Sequence, residues 1–82
     1  MIMHFFIETW YYYQYPHMYC EPSKVMKAKN LEDAKAECTS KPNKECRRFY
    51  DYLGQGNRFF ACPTLSSELG PSDHVMYDKS KN

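Results

Sequence analysis

The pattern of hydrophobic and polar positions predicts one helix in the middle of the chain. Apolar residues recur there at helical spacing, at Leu31, Ala34 and Cys38. Asn30 is a favourable N-cap residue, and Asp33 at the third helical position completes an approximate capping box. Pro42 cannot continue a helix, and it disfavours helical backbone at the residue before it. The sequence therefore predicts a helix over about 31–41.

Segments typical of β-strands follow this helix. Residues 46–53 and 58–62 are rich in aromatic residues, and the Gly-Gln-Gly-Asn segment between them predicts a tight turn and a hairpin. Residues 63–73 are rich in turn-forming residues and predict a loop. A short strand is predicted over 74–78, and a polar tail that frays over 80–82.

The first twenty residues are dominated by aromatic side chains. Their density favours extended structure, so we expect one strand within 2–14, interrupted by Pro16. A turn at 20–23 and a short, lysine-protected edge strand within 24–29 come next. Packing in the core or against a partner strand is the commonest role for such aromatics. A ligand platform and an appendage outside the fold are the alternatives.

Length and composition restrict the class of protein. A chain of 82 residues is one domain, taken here as 1–82. An aromatic content of 17% excludes a disordered polar tail, and only 3 glycines exclude a collagen-like chain. No apolar run approaches the ~18 residues that a membrane span needs.

Charge is distributed unevenly along the chain. The net charge is +1, but residues 23–48 carry eight Lys or Arg against four acids, which leaves −3 for the rest. A balance this close to neutral disfavours a nucleic-acid partner. The basic segment is either a solvated surface or a binding face for an anionic glycan or an acidic protein.

Four cysteines in so small a chain indicate disulfide bonds, because a small core alone stabilises such a domain weakly. Cys20, Cys38, Cys46 and Cys62 allow three pairings, among which spacing does not choose. No C-x-x-C or H-x-x-x-H spacing is present, so a metal site is not expected.

Disulfides imply secretion, yet residues 1–10 lack the features of a signal peptide. Either the signal has been removed or the assigned start of the gene is wrong. A cytosolic protein with free thiols is the third alternative.

Sequence motifs of catalysis are not found. The three histidines are scattered, and neither a nucleophile elbow, a zinc-protease motif nor a phosphate-binding loop occurs. The sequence therefore predicts a non-catalytic protein without a cofactor.

The chain combines a helix that carries a cysteine, a second cysteine soon after it, an aromatic hairpin and a closing Tyr-x-Lys. This combination resembles the PAN/apple family. The resemblance covers roughly residues 24–79, from Asn30-Leu-Glu-Asp-Ala-Lys-Ala-Glu-Cys38 through Cys46-Arg-Arg-Phe-Tyr50 and Arg58-Phe-Phe-Ala-Cys62 to Val75-Met-Tyr77-Asp-Lys79. It implies an α+β domain in which an antiparallel sheet curls around a single helix. It further implies a Cys38–Cys46 bridge. Ala34 stands where the family usually has another helix cysteine, so Cys20 becomes the expected partner of Cys62.

The resemblance implies a secreted, non-catalytic module that binds a protein or carbohydrate. In such a module an arginine would pair with a sulfate or carboxylate group, and a tyrosine would stack on a sugar ring. The hairpin offers five candidate ligand-binding residues of these types: Arg47, Arg48, Arg58, Tyr50 and Tyr52. Tyrosines 11, 12, 13 and 15 form a second candidate platform. The alternative is a self-associating structural or extracellular-matrix-type protein, a homodimer joined through the tyrosine-rich N-terminal strand.

Overall fold

A computed structural model of the chain describes residues 10–63, 68–69 and 73–81. It is an α+β domain with one α-helix among those residues, an antiparallel sheet and two disulfide bonds. The elements in chain order are β1 (Trp10–Pro16), β2 (Met18–Tyr19), β3 (Lys24–Val25), α1 (Leu31–Thr39), β4 (Arg48–Asp51), a 3₁₀ turn (Tyr52–Gly54), β5 (Phe59–Cys62), β6 (Glu68–Leu69) and β7 (Val75–Lys81).

Five strands form the main sheet, in the order β1-β7-β4-β5-β3, and all of its pairs are antiparallel. The predicted hairpin is confirmed, since β4 pairs with β5 from Arg48 opposite Cys62 to Asp51 opposite Phe59. β7 then inserts between β4 and β1, and it pairs with all seven residues of β1. The aromatic strand is therefore part of the same sheet as the hairpin.

The predicted helix is confirmed at α1. The Asn30 side chain accepts a hydrogen bond from the Asp33 N–H at 2.9 Å, which is the N-cap interaction that the sequence favours. Ala34 and Cys38 are fully buried against the sheet, and Leu31 packs beside them. The narrow apolar stripe is enough because the helix covers only part of one sheet face. No helix among the described residues is long and apolar enough to cross a membrane.

Buried side chains lie on both faces of the sheet. The face that carries α1 packs Phe49, Phe59 and Tyr77 with the Cys38–Cys46 bridge. The opposite face packs Tyr50 and Met76 around the Cys20–Cys62 bridge. These two bridges are the pairing that the family resemblance implies, and one lies on each side of the sheet.

Strand ends differ from the sequence predictions at several points. Strand β7 runs to Lys81, beyond the strand predicted over 74–78, and so includes Ser80 and Lys81 of the predicted polar tail. Strand β1 includes Pro16 rather than ending before it, and the part of the predicted strand over 2–9 lies outside the described residues. The predicted loop over 63–73 contains the two-residue strand β6, which pairs with β2.

Strand β3 is also shorter than the predicted edge strand over 24–29, because the Glu37 carboxylate binds the backbone beyond it. This carboxylate accepts hydrogen bonds from the N–H groups of Lys27 at 3.0 Å and Ala28 at 2.9 Å, and lies 3.4 Å from Lys41 Nζ. Burial acts to raise the pKa of Glu37, but these hydrogen bonds and the Lys41 charge outweigh it and lower that pKa. Glu37 thus ties the connection between β3 and α1 to the helix.

Replacing Glu37 by alanine is expected to reduce the free energy of unfolding by about 2 kcal/mol at neutral pH, because it leaves backbone N–H groups without their acceptor. Since the folded-state pKa is lowered, the contribution of Glu37 is complete above its ordinary pKa and is lost as pH falls through the folded value. Denaturant unfolding of wild type and Glu37→Ala across pH 2–7 checks this. Glu32→Ala is the matched control, since its side chain is 87% exposed; equal losses for the two variants would contradict the assignment.

Candidate functional site

Three tyrosines form an exposed row on β1. Tyr11, Tyr13 and Tyr15 are 47%, 57% and 43% exposed. Alternate residues of a strand share a face, and these three lie about 7 Å apart along it. We call them the tyrosine row. Exposed aromatic side chains on one face make the tyrosine row a candidate contact surface.

The fold orients the tyrosine row through Tyr12. The Tyr12 hydroxyl lies 2.8 Å from Thr39 Oγ1 and donates to the Lys35 carbonyl at 3.2 Å, and its ring packs against Phe49. Burial raises the pKa of Tyr12, and the hydrogen bond to Thr39 offsets part of that rise. Because Tyr12 points toward the helix, its alternating neighbours point to the opposite face.

A shallow cavity of about 480 Å³ opens beside this row. Its floor is polar, and side chains from β1, β7 and the loop before β4 line it: Tyr13, Tyr15, Asn43, Arg47, Asp78, Lys79 and Ser80. We call it the tyrosine–arginine cavity. The aromatic wall can pack on an apolar ring face, while the amide, hydroxyl and guanidinium groups can hydrogen-bond to substituents of that ring.

The charges around the cavity are not equivalent. Lys79 Nζ is buried and donates to the carbonyls of Cys38 and Lys41 at 2.9 and 3.0 Å. Asp78 lies 3.2 Å from the Arg48 guanidinium. Arg47 forms no ion pair among the described residues, although its Nε, like that of Arg48, is buried without a hydrogen-bond partner. Of the cations at this cavity, Arg47 is therefore the candidate for contact with an anionic group of a ligand.

Arg48, a predicted ligand-binding residue, is largely buried and already paired within the protein. Its side chain is only 13% exposed, and its guanidinium is engaged by Asp78 and by the Met76 sulfur at 3.7 Å. The antiparallel register sets Arg48 directly opposite Asp78 on β7, which explains the pairing. Arg48 neutralises Asp78 and thereby leaves the positive charge of Arg47 unopposed at the cavity.

Tyr50, another predicted ligand-binding residue, is only 6% exposed, so its ring is covered by the protein in this structure. Its ring stacks on Phe60 at a centroid distance of 5.2 Å, and its hydroxyl lies 3.3 Å from Ser23 Oγ. The sequence could not distinguish Tyr50 from its neighbours, because β4 is buried on both faces.

The remaining hairpin candidates lie together, away from the cavity. The Arg58 guanidinium stands over the rings of Tyr52 and Phe60 at 5.3 and 5.2 Å. Such cation–π packing covers the two ring faces that a sugar would use. Arg58 lies just before β5, whereas Arg47 and Arg48 lie at the opposite end of the hairpin. The structure does not bring the three arginines together.

Asp51 and His74 hold the turn between β4 and β5. His74 Nδ1 accepts the Leu53 N–H at 2.9 Å, and the Asp51 carboxylate accepts the Gly56 N–H at 2.9 and 3.0 Å. Leu53 and Gly56 both have positive φ, so these bonds stabilise an otherwise disfavoured turn. Burial raises the pKa of Asp51, although the bond from Gly56 and the charge of His74 oppose that rise.

A second cleft lies at the other edge of the sheet and has a volume of about 250 Å³. Three lysines and one acid surround a partly apolar wall made by β3, the loop after α1 and the end of β5: Pro22, Ser23, Lys24, Val25, Lys41, Lys44, Glu45, Ala61 and Pro63. We call it the lysine cleft. The basic segment noted in the sequence thus converges here, although Lys41 is already paired with Glu37.

Four polar residues that line the tyrosine–arginine cavity were not among the site residues predicted from the sequence: Asn43, Asp78, Lys79 and Ser80. Asn43 lies in the loop after the helix, and Ser80 lies in the segment predicted to fray. The alternation of Tyr11, Tyr13 and Tyr15 was the available signal, since it already implied one shared face.

No family model, curated protein or solved structure matches this chain.

Proposed function

We propose that this protein is a secreted, non-catalytic binding module of the PAN/apple type, and that its ligand is a carbohydrate carrying an anionic group. The ligand surface in this proposal is the tyrosine row with the tyrosine–arginine cavity. The observation that carries it is the exposure of three tyrosines on one face, two of which line a cavity together with Arg47.

Two features support the class and the compartment. A bridge ties α1 to the segment before β4, and a second bridge joins β5 to the residue after β2, as the family resemblance implies. Both disulfides are fully buried, with all four cysteines at 0% exposure. Structural disulfides of this kind persist in oxidising compartments, which favours secretion.

The chemistry of the surface favours a carbohydrate. Tyrosine rings are apolar on their faces and polar at the hydroxyl, so they match the apolar and hydroxylated sides of a sugar ring. The cavity is open and adds an amide, a hydroxyl and a guanidinium, which suit many weak polar contacts rather than one apolar anchor. A sulfate or carboxylate would pair bidentately with Arg47.

Replacing Tyr13 and Tyr15 together by serine is expected to weaken binding to heparin by at least about tenfold, because exposed aromatics dominate such contacts. Arg47→Gln should reduce binding to heparin more than binding to its desulfated form. Isothermal titration of the oxidised protein with both polysaccharides measures these effects. Arg58→Gln is the matched control and should bind as the wild type does. Unchanged heparin binding by the Tyr13/Tyr15 variant, or no binding by the wild type, would contradict the proposal.

The lysine cleft favours a second candidate, the binding of an acidic protein segment. Lys24 and Lys44 flank exposed Val25 there, so a chain with acidic and apolar residues would find complementary charge. A double variant, Lys24→Gln/Lys44→Gln, distinguishes binding at the lysine cleft from binding at the tyrosine–arginine cavity. Loss of binding in this double variant, with the tyrosine variants unaffected, would favour the lysine cleft.

A further inference from the structure

Strand β1 forms one edge of the five-stranded sheet, and no other strand among the described residues pairs with its outer side. It is seven residues long and contains no charged side chain. The opposite edge strand, β3, has two residues, one of them a lysine. Proteins usually protect sheet edges with short strands or charges, as β3 does. The unprotected edge of β1 therefore suits a partner strand.

The register shows which backbone groups face outward. The His17 N–H donates to the His74 carbonyl at 2.6 Å, so this pair is hydrogen-bonded across β1 and β7. Hydrogen-bonded pairs alternate along an antiparallel ladder. Residues 11, 13 and 15 therefore bond toward β7, whereas the N–H and C=O groups of Tyr12 and Gln14 point to the outer edge. Pro16 also falls in the outward set, where its missing N–H costs the sheet no internal bond.

The sequence of β1 is self-complementary about Tyr13. In an antiparallel pair of two copies centred there, Tyr13 faces the second copy's Tyr13, and Tyr11 faces the second copy's Tyr15. Tyr12 then faces the second copy's Gln14, so the outward N–H and C=O groups of the two strands hydrogen-bond to each other. This register uses all seven residues and forms about six interchain backbone hydrogen bonds.

We propose that two copies of this chain pair edge to edge through β1, in an antiparallel register with Tyr13 on the two-fold axis. The five-stranded sheets of the two copies then form one continuous sheet of ten strands. The tyrosine rows of both copies then lie side by side on one face, with cross-strand contacts between aromatic rings. The pairing uses the strand edge rather than the tyrosine face, so it does not depend on the proposed carbohydrate ligand.

Cysteine cross-linking tests the register in the full-length, oxidised protein. Tyr13 lies in a non-hydrogen-bonded pair, where opposing Cβ atoms approach to about 5 Å. Tyr13→Cys should form an interchain disulfide under mild oxidation, whereas Tyr11→Cys and Tyr15→Cys should form one only when mixed with each other. Peptide mapping verifies that the two native bridges are intact. Self-linking of Tyr11→Cys as fast as that of Tyr13→Cys would overturn the register.

Proline at position 14 tests the pairing itself. Gln14→Pro removes an outward N–H from each copy without touching the ladder to β7, and should weaken dimerisation at least about tenfold. Gln14→Val keeps the N–H and should dimerise as the wild type does. Sedimentation equilibrium measures both, with heparin titration of the Gln14→Pro monomer as an independent readout of the ligand surface. A wild type that is monomeric at every concentration would overturn the proposal.

Discussion

Replacing Cys20 and Cys62 together by alanine is expected to reduce the free energy of unfolding by about 4 kcal/mol, against about 2.6 kcal/mol for Cys38 and Cys46. The reason is the size of the loop that each bridge closes, since the sequence separations are 42 and 8 residues. A longer closed loop removes more conformational entropy from the unfolded chain. A domain of this size has about 4–12 kcal/mol of stability in total. Loss of the Cys20–Cys62 bridge should therefore remove about a third or more of that stability.

Urea unfolding of the two double variants measures this difference. All four cysteines are fully buried, so both variants also lose similar packing, and each serves as the other's control. The ranking is the critical outcome. A larger loss from the Cys38/Cys46 variant would contradict the loop-closure argument, and would indicate that the short bridge fixes the end of α1 by direct packing.

Replacing Lys79 by methionine is expected to reduce the free energy of unfolding by about 2–3 kcal/mol. The Lys79 side chain is 3% exposed, and its Nζ donates to the carbonyls of Cys38, Lys41 and Cys46 at 2.9, 3.0 and 3.5 Å. The carbonyls of Cys38 and Lys41 lie at the C-terminal end of α1, where a cation complements the helix dipole, and the carbonyl of Cys46 lies just before β4. Methionine fills a similar volume but donates no hydrogen bond to these carbonyls, of which that of Cys38 also accepts the Lys41 N–H at 3.2 Å.

The pH dependence supplies a second test of Lys79. Burial lowers the pKa of Lys79, and the nearby charge of Arg47 lowers it further. Between the pKa of Lys79 in the folded protein and its ordinary value, the unfolded chain binds more protons than the folded protein. Lys79 therefore makes the free energy of unfolding rise with pH in this interval. The stability gap between wild type and Lys79→Met should widen across that interval. Lys29→Met is the control, because Lys29 is exposed; a loss as large as that of Lys79→Met would contradict the specific role of Lys79.

Elements whose signals are local were predictable from the sequence. Asn30 and the apolar stripe of α1 gave the helix nearly to the residue, because N-cap chemistry and helical spacing act within a few residues. The glycine-containing turn gave the β4–β5 hairpin. The α+β class follows from these two elements.

Elements determined by distant partners were not predictable in the same way. The polar sequence at the end of β7 suggested fraying, but Lys79 is buried because its ammonium meets carbonyls from a segment more than thirty residues away. Strand β3 ends early because Glu37, on the helix, binds the N–H groups of Lys27 and Ala28 just beyond it. Neither interaction has a signal in the local pattern.

The candidate site was predicted in part. Arg47 and the tyrosines of β1 were recognised, but their meeting at one cavity depends on β7 lying between β1 and β4. Arg48 and Tyr50 were assigned to ligand binding because alternation alone does not show that β4 is covered on both faces. The sheet order supplies that information, since β4 is central and each face carries a disulfide-linked core.

Mapping the contact surface by NMR tests whether a carbohydrate binds at the tyrosine–arginine cavity. The oxidised, ¹⁵N-labelled protein is titrated with a heparin-derived oligosaccharide, and the backbone amide shifts are followed. We expect the largest shifts to cluster at Tyr13, Tyr15, Arg47 and Ser80. Shifts confined to Lys24, Lys41 and Lys44, or to the turn around Tyr52 and Arg58, would contradict this expectation, as would a spectrum that the oligosaccharide leaves unchanged.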